Sequence, residues 1–386
     1  MIAYNSLWLH NLFIREQAAV AFHQNCLDKE ECELINSKYP VHFYTPNLFI
    51  RIGLFILTTV ILIFSFGLLA LLFLDSLDKI VGGMAIFFAF LSYAALEYMV
   101  QAKNHLQSGA DDALLWISAC SLFGGTSYLT NAGDLANCII IFIIALYSTL
   151  RFADRVMGAV LYISLLGIFF FVCTRFGPLG KAIVPFVIMA ISAIIYLLVN
   201  KAKRLKVNQL YSNCLVVVSL AALLSFYFSG NYYVVRELSN TVFNLNLAQN
   251  ESIPFGWLFW IFTVVIPLFY LVKGIQKKDI VMIRVALLLV AAIIFTVHYY
   301  YTVASIEAIM TTAGVLLMVV SYGLTRYLDT PKYGFTILEI APQDATGKLQ
   351  IESLLQVQSL TGKSAGSDGN NFGGGSFGGG GASGEF

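Results

Sequence analysis

Charge is what this sequence has least of. Only 12% of its 386 residues are Asp, Glu, Lys or Arg, about half the share usual in soluble domains. A chain this long with so few charges cannot cover a water-facing surface, so a soluble enzyme or adaptor is excluded first. The net charge is +1, which gives no basic field for nucleic acid, and no nucleic-acid partner is expected. The motifs of common chemistries are missing too. Outside the Gly-rich tail there is no G-x-S-x-G elbow, and no H-E-x-x-H helix or phosphate-binding loop occurs, so nothing in the apolar part of the chain marks a hydrolase, zinc peptidase or nucleotide enzyme. The six cysteines follow no zinc spacing. Cys26 and Cys32, flanked by His23 and His42, are read as ordinary thiols, and neither a metal nor a cofactor is expected. Residues 1–22 lack the basic start, apolar core and small-residue cleavage site of a signal peptide, so the first span is expected to insert the chain itself.

What is there is hydrophobic. Apolar residues make up 58% of the chain, and the mean hydropathy is +0.78. They fall into ten runs, at 49–74, 81–100, 113–131, 135–150, 156–174, 182–200, 211–229, 255–273, 280–298 and 305–325. Each is close to the roughly 20 residues that cross a bilayer core. The third and fourth runs are separated only by Asn131, Gly133 and Asp134, so a re-entrant pair is the alternative there. The expected fold is therefore all-α, a polytopic transmembrane helix bundle of about ten spans.

Sidedness follows from Lys and Arg. With the N-terminus in the cytoplasm, 18 of the 23 basic residues fall on the cytoplasmic side. Only Lys79, Arg175, Lys181 and Arg236 fall opposite, and Arg284 lies inside a span. This positive-inside bias predicts both ends in the cytoplasm and an even number of spans.

Four regions are expected. Residues 1–45 form a cytoplasmic amphipathic helical segment, with apolar positions from Leu7 to Phe22 near helical spacing and a second helix starting at Asp28 with Glu31 three residues on. That helix ends before Pro40, because proline blocks helical continuation. Residues 46–328 are the transmembrane bundle. Residues 329–361 form a short cytoplasmic segment, a strand at 331–341 and a helix at 347–360. Residues 362–386 are a Gly-rich tail without periodicity, expected to be disordered.

The stretch SKYP followed by NLFIRIGLFILTTVILIFSFGLLALLFL, with LEYMVQAKNHLQSGADDALLWISACSLFGG after it, resembles a functionally uncharacterised family of bacterial polytopic membrane proteins. In that family a short helical cytoplasmic segment precedes a many-span bundle. The likeness covers residues 1–125, and beyond them only hydropathy is shared. The tail FGGGSFGGGGASGEF is similar to those of envelope proteins that carry a TPM domain, although no TPM domain precedes it here. The resemblance implies a multi-pass protein of the bacterial inner membrane and carries no catalytic residue.

Charges inside spans are costly and are the natural place to look for function. Arg284, one turn into the ninth run, is a candidate for ligand or lipid-headgroup binding, or else it snorkels toward Lys277 and Lys278. His298 and Glu307 close and open neighbouring runs and are candidates for a proton-coupled pair. Glu97, between Tyr93 and Tyr98, is the fourth ligand-binding candidate; Lys103 and Arg151 are its possible partners. Asp111 and Asp112 suit the positive end of the third span. With Glu97 they are also the only hint of a metal-binding carboxylate group, at unsupportive spacing. Pro185 and Pro267 are expected to kink their spans. The leading expectation is transport or binding of a small or amphiphilic ligand. The alternative is a non-catalytic scaffold in envelope assembly or stress response, recruiting envelope partners through residues 1–45 and 362–386. An intramembrane enzyme comes third. Membrane lipids are partners in every reading.

Overall fold

The computed structural model describes residues 2–23, 26–73, 77–203, 211–242, 253–277 and 279–300, with Thr311, Gly314, Val315, Met318 and Tyr322. The run at 305–325, Glu307, the 329–361 segment and the Gly-rich tail lie outside these residues, apart from those five isolated positions. The described chain is all-α. A helical pair, α1 (Ser6–His23) and α2 (Lys29–Lys38), precedes α3 (Leu48–Leu71), α4 (Leu77–Ala102), α5 (Ala110–Thr130), α6 (Asp134–Phe152), α7 (Arg155–Thr174), α8 (Gly177–Lys203) and α9 (Ser212–Gly230). The short α10 (Tyr232–Thr241) leads to α11 (Gly256–Lys277) and α12 (Ile280–Tyr300). Among the described residues, nine helices (α3 to α9, α11 and α12) are long and apolar enough to cross a membrane.

The helix starts follow local chemistry. Glu31 accepts a hydrogen bond from the Asp28 backbone N–H at 3.0 Å, one arm of a capping box. Asn47 caps α3 through Ile50 N at 3.0 Å, and Asp154 caps α7 through Met157 N at 2.8 Å. Asp279 opens α12 by accepting from Val281 N at 3.0 Å and Met282 N at 3.2 Å. Each carboxylate or amide satisfies a backbone donor that a helix start leaves open. α5 and α6 have 21 and 19 residues, lengths that cross a bilayer core. Both are long and apolar enough to span, and each starts ahead of its apolar run, at Ala110 and Asp134. α2 ends at Lys38, two residues before Pro40. Between the seventh and eighth apolar runs lies a further helix, α10, which starts directly after α9 with Asn231 as its cap.

Consecutive spans pack as antiparallel hairpins, α4 with α5, α6 with α7, α8 with α9 and α11 with α12, as short connections require. The α4–α5 crossing is close. A side chain at Gly125 would meet the Gly82 carbonyl oxygen at 2.7 Å, so hydrogen at both positions lets the backbones approach. One core cluster holds Leu96, Val100, Leu114, Leu115, Phe152 and Met157 from α4 to α7. Another joins α8, α9, α11 and α12 around Tyr227, Ile266, Tyr270 and Leu289. Pro185 and Pro267 sit inside α8 and α11, both buried. α3 is different: it leans on α5 and buries no residue.

The α1–α2 pair sits at the end of the bundle where α3 begins and α4 ends, called here the basic end. Arg15 Nε donates to Asn36 Oδ1 at 2.9 Å and Asn11 Nδ2 to the Pro40 carbonyl at 2.9 Å, tying α1 to α2 and its exit. The strap after Pro40 forms an isolated parallel bridge, Tyr44 to His105, in the α4–α5 turn. Ala3 N donates to the Arg151 carbonyl at 2.8 Å.

Candidate functional site: a polar junction under the N-terminal segment

Charged side chains from five spans meet at the basic end. α4 sets Tyr93, Glu97 and Gln101 on one stripe, four residues apart, so all three address the same point. Glu97 accepts from Arg151 of α6 through Nε and Nη2, both at 3.0 Å. It also accepts from Tyr93 OH and Gln101 Nε2, both at 2.5 Å. Tyr93 OH in turn pairs with Tyr147 OH of α6 at 2.6 Å. The fork-to-carboxylate geometry makes this the strong form of an ion pair, and both Glu97 oxygens are occupied.

The second pair crosses from α3 to α5, with Arg51 Nη2 donating to Asp112 Oδ2 at 2.7 Å. Its approach depends on Gly109, whose φ is +92° and whose missing side chain would stand 2.1 Å from the Arg51 carbonyl oxygen. Asp111 turns back on its own loop, accepting from Ser108 N at 2.8 Å and Ser108 Oγ at 3.0 Å. Ser108 Oγ also pairs with His105 Nδ1 at 2.8 Å. His, Ser and Asp are thus linked, but with serine in the middle and fully buried. A catalytic triad needs histidine between the other two and an open nucleophile, so this chain of bonds locks a turn.

Asp154, besides capping α7, accepts from Trp116 Nε1 at 3.3 Å. Its neighbour Arg155 has a buried Nε without a hydrogen-bond partner, and Glu16 of α1 interacts with it electrostatically. Cys214 Sγ of α9 donates to the Ala153 carbonyl at 2.9 Å, fastening the α6–α7 turn to the next hairpin. Tyr4 lies over the whole group. Burial, reinforced by Asp111, Asp112, Asp154 and Glu97, pushes its phenol well above the ordinary tyrosine range, so it stays neutral. Burial likewise lowers His105 below the ordinary histidine value, against the pull of Asp111.

Of the residues singled out from sequence, Glu97 is in this junction, with Arg151 and not Lys103 as its ion-pair partner. Asp111 and Asp112 are there too, one as a turn lock and the other as an ion pair. Arg284 stands on the exposed flank of α12, one turn from its start. His298 is near the far end of α12, with a buried Nδ1 that lacks a hydrogen-bond partner. The two are 14 residues apart, about 21 Å along a helix, so they do not share a site. Glu307 lies outside the described residues. No group of three or more His, Cys, Asp or Glu placed to hold a metal occurs among the described residues. Sequence reasoning missed Arg51, Asp154 and Tyr4. The stripe Tyr93–Glu97–Gln101 and the Asp154 cap were readable signals; Tyr4 had none, because its role arises only when the N-terminal segment folds back.

These features define an all-α, multi-pass membrane protein with an interlocked polar junction at one end. Comparison with protein families, curated proteins and solved structures finds no match.

Proposed function

We propose that the protein is a non-catalytic scaffold of the bacterial inner membrane, with the α1–α2 pair presented to partners in the cytoplasm. The observation that carries this reading is the attachment of that pair. It is held through Ala3 on Arg151, Asn11 on Pro40 and Tyr44 on the α4–α5 turn, so its outward face has a set orientation on the membrane. α2 buries no residue, and Leu34 stands 69% exposed among Lys29, Glu30 and Glu33. That outward face offers a partner one apolar residue with charges around it. The resemblance to a bacterial family with such an N-terminal segment and the basic bias of this end support the location.

Transport of a small or amphiphilic ligand is the rival proposal. It asks for Arg284, Glu97, His298 and Glu307 around one path. The separation of Arg284 from His298 and the full occupation of Glu97 favour the scaffold. The deciding experiment places a photo-crosslinking amino acid at Leu34 and, as a control, at the buried Ala18, in cells expressing the full chain. The expected result is a discrete protein adduct at position 34 that is lost in Glu33→Lys. Equal labelling at both positions would sink the reading.

A further inference from the structure

At the end of the bundle opposite the N-terminal segment, α9, α10 and α12 enclose a cleft of about 180 Å³. Its walls are Phe228, Tyr233, Val234, Ala292 and Phe295, and Tyr227, Asn231 and Thr296 form its floor. The floor is polar by composition but closed by its own bonds. Asn231 Nδ2 donates to Tyr227 OH at 2.9 Å and to Thr296 Oγ1 at 3.1 Å. Its Oδ1 accepts from Val234 N at 3.2 Å. Thr296 Oγ1 donates to the Ala292 carbonyl at 2.9 Å. With the Asn231 amide and the Thr296 hydroxyl engaged below, an occupant meets mainly hydrocarbon and ring surface.

Three further features fix what that occupant is. First is depth. Tyr227 and Phe228 lie three and two residues before Gly230, where α9 ends and Asn231 turns to extended backbone, within about 5 Å at the helical rise. The cleft is therefore at the boundary between headgroups and acyl chains. Second is access. Phe228 and Phe295 are 42% and 46% exposed, and on spans of a multi-pass protein that exposure faces lipid, so the cleft opens sideways into the bilayer. Tyr233 stands edge-on to Phe295, with ring centres 5.4 Å apart, and holds one wall. Third is size. An apolar cavity of about 150 Å³ takes one benzene, whereas whole drug-sized ligands need about 300 Å³ or more. The volume suits a short length of one alkyl chain and excludes a headgroup.

We propose that this cleft is a binding site for a single hydrocarbon chain of a membrane lipid, entered laterally between Phe228 and Phe295. Tyr233 and Val234 of α10 form one of its walls. This does not depend on the scaffold reading, whose contact lies at the other end of the molecule.

The test uses the full-length protein in nanodiscs of phosphatidylcholine carrying a diazirine midway along one acyl chain. After irradiation, labelled residues are located by mass spectrometry. Phe64 and Leu68 of α3, 74% and 66% exposed, are the internal standard for ordinary lipid contact. The expected result is several-fold more adduct per residue on Phe228, Tyr233, Val234 and Phe295 than on that standard. Val234→Trp and Ala292→Leu, which fill the cleft from opposite walls, are expected to bring labelling down to the α3 level while α3 labelling is unchanged. Wild-type labelling no higher than on α3 would overturn the proposal. So would unchanged labelling in whichever filled variant keeps its fold, as would displacement of the label by benzene but not by a free fatty acid.

Discussion

Two turn residues place opposite demands on the backbone. Gly109 has φ +92° and no room for a side chain beside the Arg51 carbonyl. Gly109→Ala must therefore push α3 off the start of α5, and a loss of about 3 kcal/mol or more is expected, read as a lower melting temperature in detergent. Ala153, after α6, has φ +51°, a left-handed conformation that costs a non-glycine residue about 1 kcal/mol. Ala153→Gly is expected to raise stability by up to about 1 kcal/mol, since the Cβ makes no required contact in a turn held by backbone and Cys214. His105 sets a pH response. Its folded value is lowered by burial, so the unfolded chain takes up its proton more readily. Its contribution is whole above the ordinary histidine value near pH 6.5 and is lost as pH falls below it. Melting temperature should decline between pH 7 and 5, and His105→Asn, which keeps a polar group facing Ser108, should flatten that slope. An unaltered slope would place the response on another group.

Ion pairs here reinforce contacts between elements of different hairpins. α4 and α6 belong to different hairpins, and Glu97–Arg151 ties them at 3.0 Å with both side chains largely covered. Glu97→Gln and Arg151→Gln are each expected to cost about 2 kcal/mol, with the double variant losing clearly less than the sum, because each single change strands a half-buried charge. Additive losses would mean the two charges are held independently. Deeper in, Tyr162 donates to Ser192 Oγ at 3.0 Å and also bonds Ser225, linking α7, α8 and α9. Tyr162→Phe is expected to cost only about 0.6 kcal/mol, the usual scale for such bonds between membrane helices. These elements were unequally legible in the sequence. Long apolar runs and Asn or Asp caps specify helices locally, so the nine described spans and the start of α2 could be read directly, whereas α5 starts at Ala110 after Gly109, ahead of the Asp111 and Asp112 expected to cap it. The partner of Glu97 was narrowed to two residues by shared depth, and only packing chose Arg151. α10 was hidden because a ten-residue helix in a polar loop has no span-length signal. Arg51–Asp112 was hidden because its residues are 61 positions apart and depend on the close approach at Gly109.

At the scale of the molecule, the charge distribution makes a claim about sidedness that local geometry cannot make. Any even or odd set of antiparallel helices could be inserted either way up; the 18 basic residues assigned to one side choose between them. Each translocated Lys or Arg near a span end opposes the insertion bias, so the molecule is expected to hold α1, α2 and the polar junction in the cytoplasm. α10 and the lipid-chain cleft then face the other side. Cysteine labelling checks this with residues already placed. Cys26 is exposed on the N-terminal segment, while Glu237 lies on the exposed side of α10. In intact cells a membrane-impermeant maleimide should label Glu237→Cys and leave Cys26 untouched until the membrane is opened. The other exposed thiol, Cys120, lies midway along α5, at a depth that a membrane-impermeant reagent does not reach in either condition. The reverse pattern would invert the molecule, and with it the scaffold reading, since Leu34 would face away from every cytoplasmic partner. The cleft proposal would survive that inversion with its leaflet exchanged, which makes labelling the measurement that separates the two.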